Sequence, residues 1–275
     1  MQTRKRVYPS ERKPAKWVSY SLLFLSAVIL FSGVAARSGG DAVFETVATP
    51  SPIPLDAAFD ETRETREITL NGSVWYALQL GAFETEEAAG QLAEQFQRRG
   101  AAGYLWPEER FRVLAAVYPE KEDAQAVRQQ LRDQHDVDSY LFEISIPSVS
   151  LRMTGMRGQI DILEAAFLHA EELIRQMERI SETLDRQEIT PAEAAEELNT
   201  LREQVELVAL RMEQRFLSPR NAAVTGLIGL MRDYAAFARE ETGQESNALL
   251  SRQLKYQTIQ TIRLLLELTD ALRNT

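Results

Sequence analysis

Four side chains are of types and at spacings that suit recognition of a sugar chain: Gln79, Phe83, Arg112 and Tyr118. An amide and a guanidinium hydrogen-bond hydroxyls and carbonyls, and aromatic rings lie against the apolar face of a sugar ring. All four come from two stretches that read as strands, Trp75 to Phe83 and Phe111 to Tyr118. Period-two alternation puts Tyr76, Leu78 and Leu80 on one side of the first, with Trp75, Ala77, Gln79, Gly81 and Phe83 on the other. In the second, Val113, Ala115 and Val117 oppose Arg112, Leu114, Ala116 and Tyr118. The first set in each strand is the better core, so the second sets are expected on an uncovered face. Each residue also has a structural reading. Phe83 and Tyr118 can cap the sheet edge, Gln79 can fix a strand end, Arg112 can be a solvated strand residue, and Trp75 can pack against the linker or the helices.

Bond-making chemistry finds little support. There is no cysteine, hence no thiolate nucleophile, thiolate metal site or disulfide. The two histidines, His135 and His169, lack metal-ligand spacing, and neither Gly-x-Ser-x-Gly nor a phosphate-binding Gly-rich loop occurs. No enzyme activity, cofactor or metal is expected.

The 275 residues carry 31 Lys+Arg against 41 Asp+Glu, a net of −10. Arg4, Lys5, Arg6, Arg12, Lys13 and Lys16 cluster at the start, and the acidic remainder argues against a nucleic-acid partner, whose affinity rests on phosphate neutralisation. Residues 17–36 contain no ionisable side chain and are long enough to span a bilayer, with Trp17 and Tyr20 as interfacial aromatics. Segments 1–16 and 17–36 are thus expected as a cytoplasmic basic tail and a transmembrane helix contacting the lipid bilayer. The alternative is a cleaved signal peptide ending at Val34-Ala35-Ala36. Either way, the chain after Arg37 is expected outside the cytoplasm. Residues 37–72, with Gly39-Gly40, Pro50, Pro52 and Pro54 and a polar run through Glu67, read as a flexible linker.

Residues 73–147 read as strand, helix, strand, strand, helix, strand. Thr85 opens the first helix, with Ala88, Leu92 and Phe96 as its stripe and Gly100 at its end. The order predicts a ferredoxin-like four-stranded antiparallel sheet with both helices on one face and the other face open. Within it, Tyr76-x-Leu78-Gln79-Leu80-Gly81-Ala82-Phe83, Phe111-Arg112-Val113, Tyr118 and Lys121-Glu122-Asp123-Ala124 resemble the SPOR (sporulation-related repeat) domain family. The resemblance implies non-catalytic binding of peptidoglycan glycan strands, particularly strands stripped of stem peptides, through the open sheet face. By position it carries over to Gln79, Phe83, Arg112 and Tyr118. Ala116-Val117 stand where the family usually has Gly-Pro, and Leu114 where a polar residue is common, so the face is less polar than the family's.

From 156 to 275 the chain reads as helices. Ile160, Leu163, Phe167, Ala170, Ile174 and Met177 make a seam, and Thr190-Pro191-Ala192-Glu193 opens the next helix. Ser218-Pro219 and Gly243 mark further boundaries. The expected fold class is therefore α+β: an N-terminal transmembrane helix, a ferredoxin-like β-α-β-β-α-β SPOR domain, then an all-α C-terminal four-helix bundle. The expected role is a membrane-anchored envelope protein, localised by glycan binding to sites of wall remodelling, division or sporulation. Self-association or a second envelope protein is expected through the bundle. The alternative is a scaffold whose bundle recruits a protein partner while the sheet is only structural.

Overall fold

The structure, a computed structural model, describes residues 62–216, 221–241 and 246–273. The elements are β1 (Arg63–Leu70), β2 (Ser73–Phe83), α1 (Glu86–Gln97), β3 (Tyr104–Pro107), β4 (Phe111–Tyr118), α2 (Lys121–His135), β5 (Tyr140–Ile146) and β6 (Val149–Met156). Helices α3 (Arg157–Asp185), α4 (Pro191–Arg215), α5 (Ala222–Glu241) and α6 (Asn247–Arg273) complete the chain order. Four strands form an antiparallel sheet in the order β3-β4-β2-β5, and β1 pairs with β6 in a two-stranded sheet.

The sequence-based fold class is corrected on two points. First, the run placed in the flexible linker is ordered from Arg63 to Leu70 as β1, whose residues pair in register with β6 from Arg63↔Met156 to Leu70↔Val149. The two ribbons join closely, because two residues separate β1 from β2 and two separate β5 from β6. A Cβ on Gly72 would sit 2.9 Å from the Ile146 carbonyl oxygen and the Ser148 nitrogen, so the crossing requires glycine. The Ser148 hydroxyl donates to the Leu70 carbonyl there at 2.9 Å.

Second, the sheet face expected to be open is covered by the protein's own α6. Tyr104 of β3 packs on Tyr256 with ring centroids 4.9 Å apart, and the Arg263 guanidinium lies 5.5 Å from the Trp106 ring centre. Trp75, Tyr104, Trp106, Leu114 and Ile144 are buried in one continuous core with the helices. A separate sheet domain and bundle are replaced by one body. The cause is chemical: a face bearing two tryptophans, a tyrosine and aliphatic side chains is too apolar to leave in water.

No helix among the described residues is long and apolar enough to cross a membrane. Residues 1–16, 17–36 and the linker up to 61 lie outside the described residues, as do Ser218-Pro219 and Gly243.

Local signals explain where the helices begin. Thr85 accepts a hydrogen bond from the Ala88 amide, and Thr190 and Glu193 form a reciprocal capping box with Pro191 in the first turn. Helices α3 and α4 run antiparallel, with Gln159 near one end of α3 donating to the Arg215 carbonyl at the far end of α4. The buried Tyr234 hydroxyl of α5 donates to the Leu198 carbonyl of α4 at 3.2 Å, so a polar atom crosses this interface satisfied.

Candidate functional site

Two one-residue bulges decide where the four candidate residues point. Between Ala77↔Val117 and Gln79↔Leu114, β4 carries one residue more than β2; between Gln79↔Leu114 and Gly81↔Val113, β2 carries one more than β4. Each bulge advances the alternation by one residue and turns the following side chains to the opposite face. Gln79 and Arg112 keep the expected face. Phe83, opposite Phe111, is turned beneath α1, where it packs with Ala89, Leu92, Ala93 and Val113. Tyr118, opposite Tyr76, is turned away as well and lines a cleft of about 110 Å³ with Val127 and Leu131 of α2 and Glu178 and Asp185 of α3. Phe83 and Tyr118 therefore do not join Gln79 and Arg112 on one surface.

The structure brings Gln79 and Arg112 into direct contact. Arg112 donates from Nη1 to Gln79 Oε1 at 2.9 Å and from Nε to Glu108 Oε2 at 3.0 Å. Its guanidinium lies 4.6 Å from the centre of the Phe142 ring. The indole N–H of Trp106 donates to the other oxygen of Glu108 at 3.2 Å. The register pairs Gln79 with Tyr140 and Ala77 with Phe142, so both β5 aromatics stand on this face. Tyr140 is 64 % exposed, while the Arg112 side chain is 29 % exposed. The result is a shallow strip of guanidinium, amide, carboxylate and free aromatic ring at the end of the sheet that α6 leaves uncovered. Glu108 offsets the arginine charge, so the strip offers directional donors and acceptors rather than a strong field. That chemistry suits neutral hydroxyl-rich ligands. Sequence reasoning missed Glu108, Tyr140 and Phe142. The alternation of Tyr140, Phe142 and Ile144 carried the signal for the last two, whereas Glu108 lies in a turn whose direction only the fold sets.

The Tyr118 cleft has different electrostatics. Burial pushes the Tyr118 phenol well above its ordinary range, and the neighbouring Asp185, Glu178 and Glu182 act in the same direction. Burial likewise raises the Glu178 carboxyl to about 7, helped by Glu182 and Asp123 and opposed by Arg186. Burial lowers His169, with Glu172 opposing. Among the described residues no group of three His, Asp or Glu is placed to hold a metal ion.

The sign of the Glu178 effect is fixed. The folded state holds its proton more tightly than the unfolded chain does, so stability falls as pH rises from the unfolded carboxylate value through about 7. For a fully enclosed group such a shift corresponds to about 3 kcal/mol; solvent access at this partly exposed position screens it to about 1–2 kcal/mol. Urea titrations at pH 5 and pH 8 should show that loss, and Glu178→Gln should flatten it. An unchanged pH profile in the variant would assign the dependence elsewhere.

No protein-family model matches the sequence, and comparison with curated proteins and with solved structures finds no match to it.

Proposed function

We propose that the protein is a non-catalytic, envelope-located binding protein that holds peptidoglycan glycan strands along the Gln79–Arg112–Tyr140 strip. One observation carries this reading: a guanidinium held between Gln79, Glu108 and the Phe142 face, beside a largely exposed Tyr140 ring. A sugar ring can lie on Tyr140 while its hydroxyls meet the amide, the carboxylate and the guanidinium edge. The resemblance of 74–146 to SPOR domains supports the choice of glycan, and the apolar stretch 17–36 supports a bilayer location. The contact area is small, so binding of single strands is weak and gains strength from many copies along a strand.

The scaffold alternative has one observation in its favour: α6 buries most of the sheet face against the helices. Co-sedimentation of the full-length chain with sacculi, in a polyoxyethylene detergent, separates the two readings. Glycan binding predicts more protein on amidase-treated than on untreated sacculi. Arg112→Ala and Tyr140→Ala should each weaken it about tenfold, a change of about 1.4 kcal/mol. Tyr118→Phe should have no effect, since that ring faces the other way. Equal sedimentation of all these variants, or none by the folded protein, would favour the scaffold.

A further inference from the structure

A cavity of about 240 Å³ lies between the end of α1 and the beginning of α6, distant in sequence from the strip and unused by it. Its cations come from two elements separated by some 150 positions: Arg98 and Arg99 after α1, and Arg252 and Lys255 on α6. Asp185 is the one acid among its described lining residues. That acid is already committed, with Oδ2 at 2.6 Å from Lys255 Nζ and Oδ1 accepting from the Ser251 hydroxyl at 2.5 Å. Three guanidinium groups therefore stand around one hollow in a chain of net charge −10. Like charges gathered by tertiary folding repel, and an anion placed among them relieves that repulsion.

The arginines are partly held in place. Arg99 lies 5.2 Å from the Phe96 ring centre, and among the described residues Arg98 pairs with Glu94 at 3.7 Å, both side chains largely exposed. Planar guanidinium forks take oxyanions two oxygens at a time. A carboxylate has two oxygens to offer, whereas a phosphate ester offers three, enough to reach both sides of a hollow lined from α1 and α6. The volume lies below the range of about 300–1,000 Å³ that encloses drug-sized ligands, so the occupant is compact.

We propose that this cavity binds a small soluble phosphomonoester, its phosphate clasped between Arg98 and Arg99 on one wall and Arg252 on the other. Asn247 also lines the hollow, its side-chain amide donating to the Leu184 and Ile189 carbonyls at 3.4 and 3.5 Å. The site stands independently of the glycan reading. Because its walls belong to the sheet layer and to the helices, occupancy ties the two together and raises the melting temperature by mass action.

The test uses the full-length chain in a phosphate-free buffer and polyoxyethylene detergent, with glycerol 1-phosphate, inorganic phosphate, or sodium chloride at matched ionic strength. Glycerol 1-phosphate should raise the melting temperature and give saturable heat on titration, while sodium chloride should do neither. Arg98→Gln combined with Arg252→Gln should weaken the affinity at least tenfold, and Arg252→Lys should lose less. A circular dichroism melt without ligand establishes that each variant is folded. Wild-type protein that binds nothing at millimolar ester would overturn the proposal, as would equal affinity in the folded double variant or an equal response to sodium chloride. A response to inorganic phosphate with none to the ester would overturn the assignment to a monoester. Arginine-dependent binding to phosphatidic acid vesicles with none to the soluble ester would overturn the soluble source.

Discussion

Residues 62–147 produced without the helices should fail to form a cooperative fold. Removing α6 uncovers Trp75, Tyr104, Trp106 and Ile144, which are between 2 and 8 % exposed in the intact protein. Returning four such side chains to water costs about 6–12 kcal/mol at about 1.5–3 kcal/mol each. A domain's whole stability is commonly about 5–15 kcal/mol. The second sheet is lost outright, since β6, the strand that pairs with β1, lies beyond residue 147, and β1 also loses its packing on α3. The fragment is therefore expected to give a poorly dispersed amide spectrum, to bind an apolar dye and to self-associate on gel filtration. A dispersed spectrum with a cooperative melt would show the sheet to be self-sufficient and would restore the separate-domain picture.

The second large effect is expected at Lys255 and Asp185. Their ion pair is 2.6 Å long, with side chains only 13 % and 22 % exposed. Lys255 reaches from α6 to the sheet layer, where its ammonium also donates to the Gly100 carbonyl at 3.5 Å. Asp185 ends α3 and is held by Ser251. The pair thus stands where α3, α6 and the loop after α1 meet. Removing one partner leaves the other charged, enclosed and poorly solvated, so Lys255→Met should cost about 3 kcal/mol. At a urea slope of about 2 kcal/mol per molar, the midpoint should fall by about 1.5 M. Lys255→Met combined with Asp185→Leu should recover much of the loss, because no orphaned charge remains. A single variant as stable as wild type would mean that water reaches the pair freely. A double variant no better than the single would trace the cost to lost packing by the lysine stem.

How far the sequence leads differs from element to element. The capping residues Thr85 and Thr190, with Pro191 and Glu193 after the latter, mark helix starts that are local events decided by a few neighbouring amides. The seam from Ile160 to Met177 likewise states which side of α3 is buried, because a 3.6-residue period leaves little choice. β1 shows the opposite case. Thr62 to Glu67 has no apolar period, and its order comes from β6, whose paired residues lie some 80–90 positions later. Arg66 is anchored by Asp161 at 2.7 Å and Glu164 at 3.3 Å, partners equally remote in sequence. A polar run alone carries no trace of such partners.

The candidate site divides along the same line. The sequence by itself determined residue types, helix starts and the alternation within each unbroken stretch of strand, which sufficed to place Gln79 and Arg112 together. Tertiary structure alone decided the two bulges, which turned Phe83 under α1 and Tyr118 into the α2–α3 cleft. It alone decided that α6 covers the sheet and that arginines from α1 and α6 surround one cavity. The physical reason is common to all three. Local patterns arise from steric and hydrogen-bonding rules acting over a few residues, whereas a bulge, a covered face or a charge cluster is the choice of least free energy among distant surfaces competing to leave water.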